Sequence, residues 1–483
     1  MPSGRRPAKS DALVFFGATG DLAHKQIFPS LYAMAKRGVM NVPVVGVAYS
    51  GWTLRQLRER ARDAIESAGR IDDKKAFKHL MSLLRYVDGD YNDEGTFDKL
   101  KKALGTARRP AFYLAIPPDL FGTVVKSLGK VGLAKHGRVI IEKPFGRDLA
   151  SAQALNRVAE SAFTQDAIFR IDHFLGKEAV ENLIYFRFAN SFLEPIWNRE
   201  HVASVQITMG EDFGVADRGK FYDGTGCLRD VVENHLFQVV ALLAMDPPAR
   251  LETGALRSAK AALLKAVRPL APNDLVRGQF VGYRDQPGVA KNSVVETFCA
   301  LRLSIDSWRW DGVPWYIRAG KCMAETVTEV LVELKAPPQA LFTDSAAMAA
   351  HSNYLRFRIA PAPAIALGAL VKRAGETFVG DRRELYLQDS APGEEAPYER
   401  LLGDAMAGYG SLFSSEETVE AAWAVVEPVL KHHHRTWPYK PGTWGPKAAD
   451  ELIPAPGRWQ DPVVAKASRK AVKTGRSRTR RPT

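Results

Sequence analysis

The sequence predicts an α/β plus α+β protein, in which a doubly wound parallel sheet comes first and a large, mainly antiparallel sheet with helices follows. Its 483 residues exceed the roughly 250–300 at which a single core stops growing. Short apolar runs alternate with amphipathic stretches up to about residue 175, and runs with a period of two replace them afterwards. We therefore expect a first domain over 1–172, a second over 173–463 and a basic tail over 464–483.

The N-terminal elements alternate between strand and helix. Strands are predicted at 13–16, 42–48, 111–116 and 138–143, and helices at 21–37 and 53–68. Such alternation produces a parallel sheet with helices on both faces. The strands are apolar throughout, as coverage on both faces requires. The first domain is therefore predicted to be Rossmann-like.

The C-terminal elements follow a different pattern. Strands with alternating polarity are predicted at 202–211, 293–305 and 329–335, and helices at 229–245 and 416–430. Alternation of this kind indicates an antiparallel sheet with one solvated face. Proline-rich breaks at 336–339, 360–364 and 391–397 are predicted to be surface loops of the same domain.

Composition and cysteine spacing exclude several classes of protein. With 46% hydrophobic and 25% charged residues the chain is typical of soluble globular proteins, and no apolar run reaches the roughly 18 residues of a membrane helix. The N-terminal apolar stretch is too short for a signal peptide. The three cysteines are too far apart for a disulfide framework or a CxxC metal site. We expect a cytoplasmic protein with no membrane partner and no metal.

The net charge of +13 comes largely from the tail, where eight Lys and Arg residues and no acid lie from Lys466 onward. Blocks of like charge are usually disordered and solvated. We therefore expect no nucleic-acid partner. The mild positive balance of the remaining chain suits a small anionic substrate.

A turn of small residues follows the first predicted strand. Gly17, Gly20 and Ala23 have the spacing GxxGxxA and lie directly before a helix. Small residues there let backbone N–H groups at a helix N-terminus approach a pyrophosphate closely. The alternative is a strand–helix turn without a ligand. Our interpretation assigns dinucleotide binding to the turn, which comprises Gly17, Ala18, Thr19, Gly20, Asp21 and Leu22.

The segment after the second strand bears on the kind of dinucleotide. NAD sites usually carry an acid there that binds the ribose 2′-OH, but no acid occurs here before Glu59. Ser50, Arg55 and Arg58 offer donors or positive charge to a 2′-phosphate, whereas Tyr49 supplies no cation. The pattern favours NADP, with Ser50 among its ligands.

Two acid–histidine clusters indicate a reaction centre. One contains Asp172, and the other contains His235 on the predicted helix 229–245. His235 lies between Val231 and Val239 at i, i+4 and i+8, so a hydrogen-bonded core histidine is the alternative. Because a second such cluster is present, we interpret His235 as a general base, whose tautomer a carboxylate fixes.

Four basic and two acidic residues around these clusters suit a phosphorylated, polyhydroxylated substrate. Together the basic residues can form a cationic pocket for a phosphate, although each alone would ordinarily be solvated. The carboxylates accept hydrogen bonds from sugar hydroxyls. The set comprises Lys143, His173, Lys177, Glu211, Asp230 and Lys321.

The chain resembles the glucose-6-phosphate dehydrogenase family in seven segments that follow one another in order. They are FGATGDLAHKQIFPSLY, FYLAIPP, IIEKPFG, RIDHFLGKE, RGKFYDGTGCLRDVVENHLFQ, RWDGVPWYIRAGK and PYERLLGDAM. The resemblance implies a Rossmann-like domain, a second domain built on a large antiparallel sheet, and association through that sheet as a homodimer or homotetramer. It also implies oxidation of glucose 6-phosphate at C1 to 6-phosphogluconolactone with NADP, the first step of the oxidative pentose phosphate pathway.

The resemblance implies a role for each matching residue. His235 takes the proton of the C1 hydroxyl, and Asp172 orients His235. His173 and Lys177 hold the 6-phosphate, while Lys143 lies between the sugar and the nicotinamide. The remaining sugar contacts fall to Glu211, Asp230 and Lys321.

Three positions depart from the pattern of the family. Phe174 stands where the family usually has Tyr, which removes one hydroxyl contact to the phosphate, an effect of roughly 0.5–1.5 kcal/mol. Gln26 and Tyr49 stand where the family often has positive residues near the cofactor. We therefore expect use of NAD beside NADP. The basic tail has no counterpart in the family pattern.

Two alternative functions stay open. One is another sugar or polyol oxidoreductase with EKP after a strand, against which the segments DHFLGKE and RDVVENH argue. The other is a catalytically silent nucleotide-binding protein that the tail recruits to nucleic acid. The intact set of His235, Asp172 and Lys177 argues against it.

Overall fold

A computed structural model describes the chain from residue 8 to residue 463 with short gaps. The described ranges are 8–250, 252–339, 353–375, 378–388, 395–431 and 435–463. The predicted basic tail over 464–483 and most of the predicted loop over 391–397 lie outside them. The predictions for these segments, and the domain boundary after residue 172, stay predictions.

The first sheet is parallel and has six strands in the order β3-β2-β1-β4-β5-β6. Its strands are β1 Ala12–Phe16, β2 Val44–Ala48, β3 Leu84–Asp88, β4 Pro110–Leu114, β5 Arg138–Glu142 and β6 Ile168–Ile171. This is the strand order of a doubly wound sheet. The order changes direction between β1 and β4, and at this point such sheets form a ligand crevice beside the carboxyl ends of the strands. The predicted Rossmann-like sheet is confirmed.

Helices cover both faces of this sheet. They are α1 Phe28–Lys36, which continues a π-helical turn over Ala23–Ile27, then α2 Leu54–Ala68, α3 Lys74–Leu83, α4 Glu94–Leu104, α5 Phe121–Lys130 and α6 Leu149–Glu160. Polar caps start four of them: Thr53, Asp73, Asp93 and Asp148 each accept a backbone N–H of the first turn.

The second sheet has nine strands in the order β14-β13-β12-β11-β7-β10-β9-β8-β15. They are β7 Val202–Gly210, β8 Leu275–Phe280, β9 Phe298–Leu303, β10 Trp315–Gly320, β11 Val327–Leu334, β12 Tyr354–Ala360, β13 Ala364–Lys372, β14 Gly380–Gln388 and β15 Thr436–Tyr439. Among the described strand pairs of this sheet, only β7–β10 and β8–β15 are parallel, so the mainly antiparallel sheet is confirmed. The predicted strand 293–305 was too long, because residues 293–297 form a loop before β9.

The remaining helices pack around this sheet and against the first domain. They are α7 Glu178–Ala189, α8 Gly219–Asp223, a π-helical segment Leu228–Leu236 that continues into α9 Phe237–Ala244, α10 Thr253–Ala266, α11 Pro397–Ala407 and α12 Glu416–Leu430. Short 3₁₀ turns occupy Pro118–Leu120, Gln165–Ala167, Glu194–Ile196, Ala216–Arg218, Pro272–Asp274, Tyr283–Asp285 and Lys447–Leu452. None of the helices in the described ranges combines the length and apolarity needed to cross a bilayer.

Candidate active site

The predicted reaction centre assembles at the carboxyl edge of the first sheet. Lys143 directly follows β5 and Asp172 directly follows β6, so the two side chains leave neighbouring parallel strands at the same edge. The π-helical segment Leu228–Leu236 crosses this edge and brings Asp230 and His235 to them.

The π-helical geometry decides which side chains of this segment face the site. Its hydrogen bonds run from i to i+5, so residues five positions apart lie above one another. In an α-helix, positions five apart would differ by about 140° around the axis. Asp230 and His235 therefore share one side, where Lys143 contacts both. The predicted helix 229–245 is confirmed over residues 228–244, and its first part is π-helical.

His235 and Asp172 form a buried pair. His235 Nδ1 lies 2.5 Å from Asp172 Oδ1, and the two side chains are 3% and 1% exposed. The Phe174 backbone N–H also donates to Asp172 Oδ1, at 2.9 Å. Burial favours a neutral carboxyl, but the charges of His235 and His173 together with these hydrogen bonds outweigh it and lower the pKa of Asp172. Asp172 is therefore ionised at neutral pH.

Lys143 fixes the tautomer of His235. Its Nζ donates to His235 Nε2 at 2.9 Å, to Asp230 Oδ1 at 3.0 Å and to the Asp230 carbonyl at 2.8 Å. Since an ammonium group has only donors, Nε2 accepts and the imidazole proton lies on Nδ1, toward Asp172. Burial lowers the pKa of His235 despite the opposing charge of Asp172. The result is a neutral imidazole with an available lone pair on Nε2.

The predicted phosphate-binding residues lie beside this pair. Burial and the neighbouring His235 lower the pKa of His173 to about 3, so His173 offers a neutral N–H rather than a charge. The Phe174 ring stacks on the His235 ring at a centroid distance of 4.6 Å. Lys177 Nζ lies 3.7 Å from the centroid of the Phe174 ring, and burial lowers its pKa. Because His173 is neutral, Lys177 provides the positive charge among the predicted phosphate-binding residues.

Glu211 and Lys321 form an ion pair at the border of the site. Tyr439 donates its hydroxyl to the Lys321 carbonyl at 2.6 Å, which holds the turn after β10 in place. Burial lowers the pKa of Lys177, and the charges of Asp172 and Glu211 oppose that shift. Burial would raise the pKa of Asp230, but the charge of Lys143, with a smaller contribution from Lys321, lowers it. These electrostatic effects link the ion pair to the other predicted substrate residues.

The small-residue turn lies at the same edge, after β1. Gly17 has a φ of +79°, and a Cβ there would lie 2.1 Å from the Ala115 carbonyl oxygen, so the turn requires glycine. Thr19 Oγ1 lies 2.8 Å from Ser50 Oγ. The contact joins the turn to the segment after β2, which the sequence predicted to bind the ribose end of the dinucleotide. Small residues with backbone N–H groups at the crevice fit a pyrophosphate.

The other residues of the predicted cofactor site differ in their exposure to solvent. Ala18 is buried, Leu22 is half-buried, and the Asp21 carboxylate lies 3.8 Å from Arg60 at the surface. Tyr49 is 75% exposed. Asp88, which sequence reasoning missed, supports this region by accepting the backbone N–H groups of Ser50 and Gly51 at 3.1 and 2.8 Å.

Sequence reasoning also missed a buried cluster behind Lys143. Glu142 accepts the Tyr113 hydroxyl and interacts with the Tyr398 hydroxyl. Burial raises the pKa of Glu142 to about 7, although the Tyr113 hydrogen bond and Lys143 oppose the shift. The available signal was an acid at the end of an apolar strand directly before Lys143.

One group of possible metal ligands occurs among the described residues. Ligand atoms of Asp172, His173 and His235 lie within 4.8 Å of one another. Asp172 and His235 Nδ1 already bind each other, and the Lys143 ammonium lies at Nε2. This arrangement favours a hydrogen-bonded base over a bound cation.

Comparisons with known proteins match nearly the whole chain. The family "Glucose-6-phosphate dehydrogenase, NAD binding domain" matches residues 14–182, and "Glucose-6-phosphate dehydrogenase, C-terminal domain" matches residues 184–460. Glucose-6-phosphate 1-dehydrogenase 1 of Mycobacterium tuberculosis (strain ATCC 25618 / H37Rv) is 42% identical over 463 residues, which cover 95% of this chain and 98% of the relative. Glucose-6-phosphate 1-dehydrogenase of Bacillus subtilis (strain 168) is 37% identical over 91% of this chain and 96% of the relative.

Two solved structures are similar over comparable lengths. The glucose-6-phosphate 1-dehydrogenase from Mycobacterium avium has a TM-score of 0.89 at 42% identity and covers 95% of this chain and 100% of that one. A glucose-6-phosphate dehydrogenase in complex with its substrate glucose-6-phosphate has a TM-score of 0.85 at 32% identity, with 92% and 98% coverage.

Proposed function

The chain belongs to the glucose-6-phosphate dehydrogenase family, and we propose from this premise that it oxidises glucose 6-phosphate at C1 to 6-phosphogluconolactone with NADP. This is the first step of the oxidative pentose phosphate pathway. The observation that carries the proposal is the neutral His235, whose Nε2 accepts from Lys143 while its Nδ1 binds Asp172.

His235 acts as the general base. Its lone pair on Nε2 takes the proton of the C1 hydroxyl as hydride leaves C1, and the imidazolium that forms is stabilised by Asp172 at 2.5 Å. The lowered pKa of His235 supports this role, since the base is unprotonated before the substrate binds.

Lys143 and Asp230 position the reacting end of the sugar. Their contact supports this role, since the Lys143 ammonium occupies the face of His235 Nε2 where a hydroxyl must lie. A substrate hydroxyl replaces Lys143 at Nε2, and the ammonium then donates to a sugar oxygen. Asp230 accepts from a ring hydroxyl.

The 6-phosphate binds next to the base. Lys177 supplies the charge and His173 a neutral N–H donor, as its pKa of about 3 indicates. Glu211 and Lys321 bind the remaining sugar hydroxyls. Their ion pair supports this role, because it places a hydrogen-bond acceptor and a donor side by side at the border of the site.

The turn Gly17–Leu22 and Ser50 bind the dinucleotide. NADP held there would supply the acceptor for the hydride that leaves C1. The contact between Thr19 and Ser50 supports a ligand site that includes both segments. The exposed Tyr49 supplies no charge to a 2′-phosphate, which supports use of NAD beside NADP.

The enzyme assembles as a homodimer or homotetramer in the cytoplasm. Exposed apolar residues on the edge strand β14 support an assembly through the second sheet. The three cysteines are free, which agrees with a reducing compartment.

Initial rates of nicotinamide reduction with glucose 6-phosphate test the function. We expect reduction of NADP and a slower reduction of NAD. Free glucose and fructose 6-phosphate serve as controls for the 6-phosphate and for C1. Reduction of neither cofactor with glucose 6-phosphate contradicts the proposal.

A further inference from the structure

A second cavity lies at the opposite edge of the first sheet from the candidate active site. It has a volume of about 380 Å³ and lies where β5 begins, whereas Lys143 follows the end of β5. Volumes of roughly 300–1,000 Å³ are typical of small-molecule sites. Its walls are the loop before β5, the segment 164–167, the first turn of α10 and the turn after α11.

The charged lining of this cavity is mainly basic. Lys135, His136, Arg138 and Arg257 line it, and Asp166 is the only acidic residue in the described lining. Helix α10 has 14 residues and begins at Thr253, in the wall, with no side chain that caps its first turn. The partial positive charge of this helix end adds to that of the side chains. The lining therefore suits an anion.

Arg257 is the cation of this lining whose buried Nε is unpaired among the described residues, although the charge of Asp166 partly offsets its burial. A Cβ at position 410 would lie 2.6 Å from Arg257 Nη2, so Gly410 leaves the space that the guanidinium occupies. A buried guanidinium N–H without an acceptor costs free energy. An anion that accepts a hydrogen bond from Arg257 offsets this cost.

Arg138 differs from Arg257, because protein groups already hold it. It donates to the Ser10 hydroxyl at 2.8 Å and to the carbonyls of Met406 and Ala8 at 3.1 and 2.6 Å. These bonds connect the first domain to the end of α11 and keep the cavity wall in place. Arg138 therefore shapes the cavity and contributes charge, while Arg257 is available to a ligand.

We propose that this cavity is a binding site for a small anion of the phosphate class, with Arg257 as its principal ligand and Lys135 as its second cation. A planar guanidinium binds two oxygens of one phosphate group. The exposed Lys135 and His136 lie at the solvent side, where a second phosphate group or a connected organic group extends.

Isothermal titration of the full chain with inorganic pyrophosphate, at matched ionic strength set by KCl, tests the proposal. We expect Arg257→Gln to weaken binding at this site by at least about tenfold, as loss of a charge-assisted pair does. Arg157→Gln removes an exposed arginine on the neighbouring α6 and should leave the affinity unchanged. Lys177→Ala removes a cation of the candidate active site and should also retain the binding.

Three results would overturn the proposal: no binding of pyrophosphate, equal affinity in the wild type and Arg257→Gln, or loss of binding in Lys177→Ala alone. Lys135→Gln provides a second variant at an exposed position, where folding is not at stake. It should weaken binding less than Arg257→Gln does, and an unchanged affinity in both variants would count against the site.

Discussion

At the scale of single residues, the charge of His235 depends on three influences. Burial and the nearby Lys143 both disfavour the imidazolium, whereas Asp172 favours it, and the net effect lowers the pKa of His235. When a substrate displaces Lys143 from Nε2, the repulsion between the Lys143 ammonium and the imidazolium weakens. His235 is therefore most basic when a hydroxyl is present to give it a proton.

Substitution of Asp172 should act on kcat through the tautomer of His235. In Asp172→Asn the amide can donate to Nδ1, which moves the imidazole proton to Nε2 and removes the base. We expect kcat to fall by roughly 10²–10⁴-fold with little change in KM. His235→Asn should have an effect of similar size, and the double variant should be no worse than the more damaged single one. An effect confined to KM would assign the pair to binding.

Removal of Lys177 should act mainly on KM. Loss of a charge-assisted hydrogen bond costs about 1.5–3 kcal/mol, so Lys177→Ala should raise the KM for glucose 6-phosphate by roughly 10–100-fold. Lys177→Arg, which keeps the charge, should recover part of the loss. Free glucose lacks the phosphate and provides the control, since its low turnover should be the same in Lys177→Ala and the wild type. An equal loss with both sugars would contradict a phosphate contact.

Glu142 should make stability depend on pH near neutrality. Its pKa is raised by burial from 4.5 to about 7, so the folded state binds more protons than the unfolded state between these values. Stability due to this group is therefore present at low pH and is lost as pH rises through about 7. The free energy of unfolding of Glu142→Gln, measured relative to the wild type in urea, should rise by roughly 2–3 kcal/mol between pH 5 and pH 8. A difference that does not change with pH would contradict the buried, protonated carboxyl.

At the scale of elements, the segment Leu228–Leu236 shows what a periodicity can predict. The α-helical spacing of Val231, His235 and Val239 predicted a helix with an inward histidine, and all three side chains are buried. It gave no sign of the π-helical turn, because a pattern of apolar residues does not record which backbone hydrogen bonds close. The contact of Lys143 with both Asp230 and His235 could therefore not be predicted.

The strands of the first sheet were predictable because both of their faces are covered, which leaves continuous apolar runs. Two strands were nevertheless missed, β3 and β6, which lie at the two edges of the sheet. Arg85 and Tyr86 interrupt the apolar pattern of β3, and Arg170 interrupts that of β6. Glu142 was missed for a related reason, because one acid at a strand end is ordinarily solvated. Its burial depends on Tyr113 and Tyr398, of which Tyr398 is more than 250 residues away in sequence.

Asn234 should be important for the π-helical segment. Its side chain accepts from the His235 backbone N–H at 2.6 Å and donates to the Arg229 carbonyl at 2.9 Å. Asn234→Ala removes both hydrogen bonds, which should cost roughly 1–3 kcal/mol of unfolding free energy. We expect kcat to fall with it, since His235 is no longer fixed relative to Lys143. Asn234→Asp keeps the acceptor but not the donor, so its kcat should lie between those of the wild type and Asn234→Ala. A wild-type kcat in Asn234→Ala would show that an α-helical form of this segment serves catalysis equally well.

At the scale of the whole molecule, one row of apolar side chains on the second sheet is covered at its β12 end and exposed at its β14 end. Leu355, Leu367 and Leu385 are paired across β12, β13 and β14. Helix α7 covers the β12 end of this row, where the Phe186 and Phe357 rings are 5.6 Å apart. Leu355 is accordingly 2% exposed, whereas Leu385 is 58% exposed. Exposure at an unpaired strand edge is typical of a surface that another chain covers.

A negative charge in this row should therefore break the assembly of subunits. Leu385 and Leu387 both lie on β14 and both are more than half exposed, Leu385 opposite Leu367 and Leu387 where the register between β13 and β14 shifts. Burying a leucine contributes roughly 1.5–3 kcal/mol, and a two-fold symmetric interface buries each position twice. Leu385→Glu combined with Leu387→Glu should convert the proposed dimer or tetramer into a smaller species in size-exclusion chromatography with light scattering.

Lys372→Glu, at the exposed end of β13, makes a charge change of the same sign outside the apolar row and should leave the assembly unchanged. The double substitution changes none of the described partners of His235, which are Asp172, Lys143 and Asn234, so kcat per subunit should be retained in the Leu385→Glu, Leu387→Glu variant. An assembly that survives the double substitution would move the subunit interface away from β14. A loss of kcat together with the assembly would mean that a second subunit supports the active site, because no group described around His235 is otherwise changed.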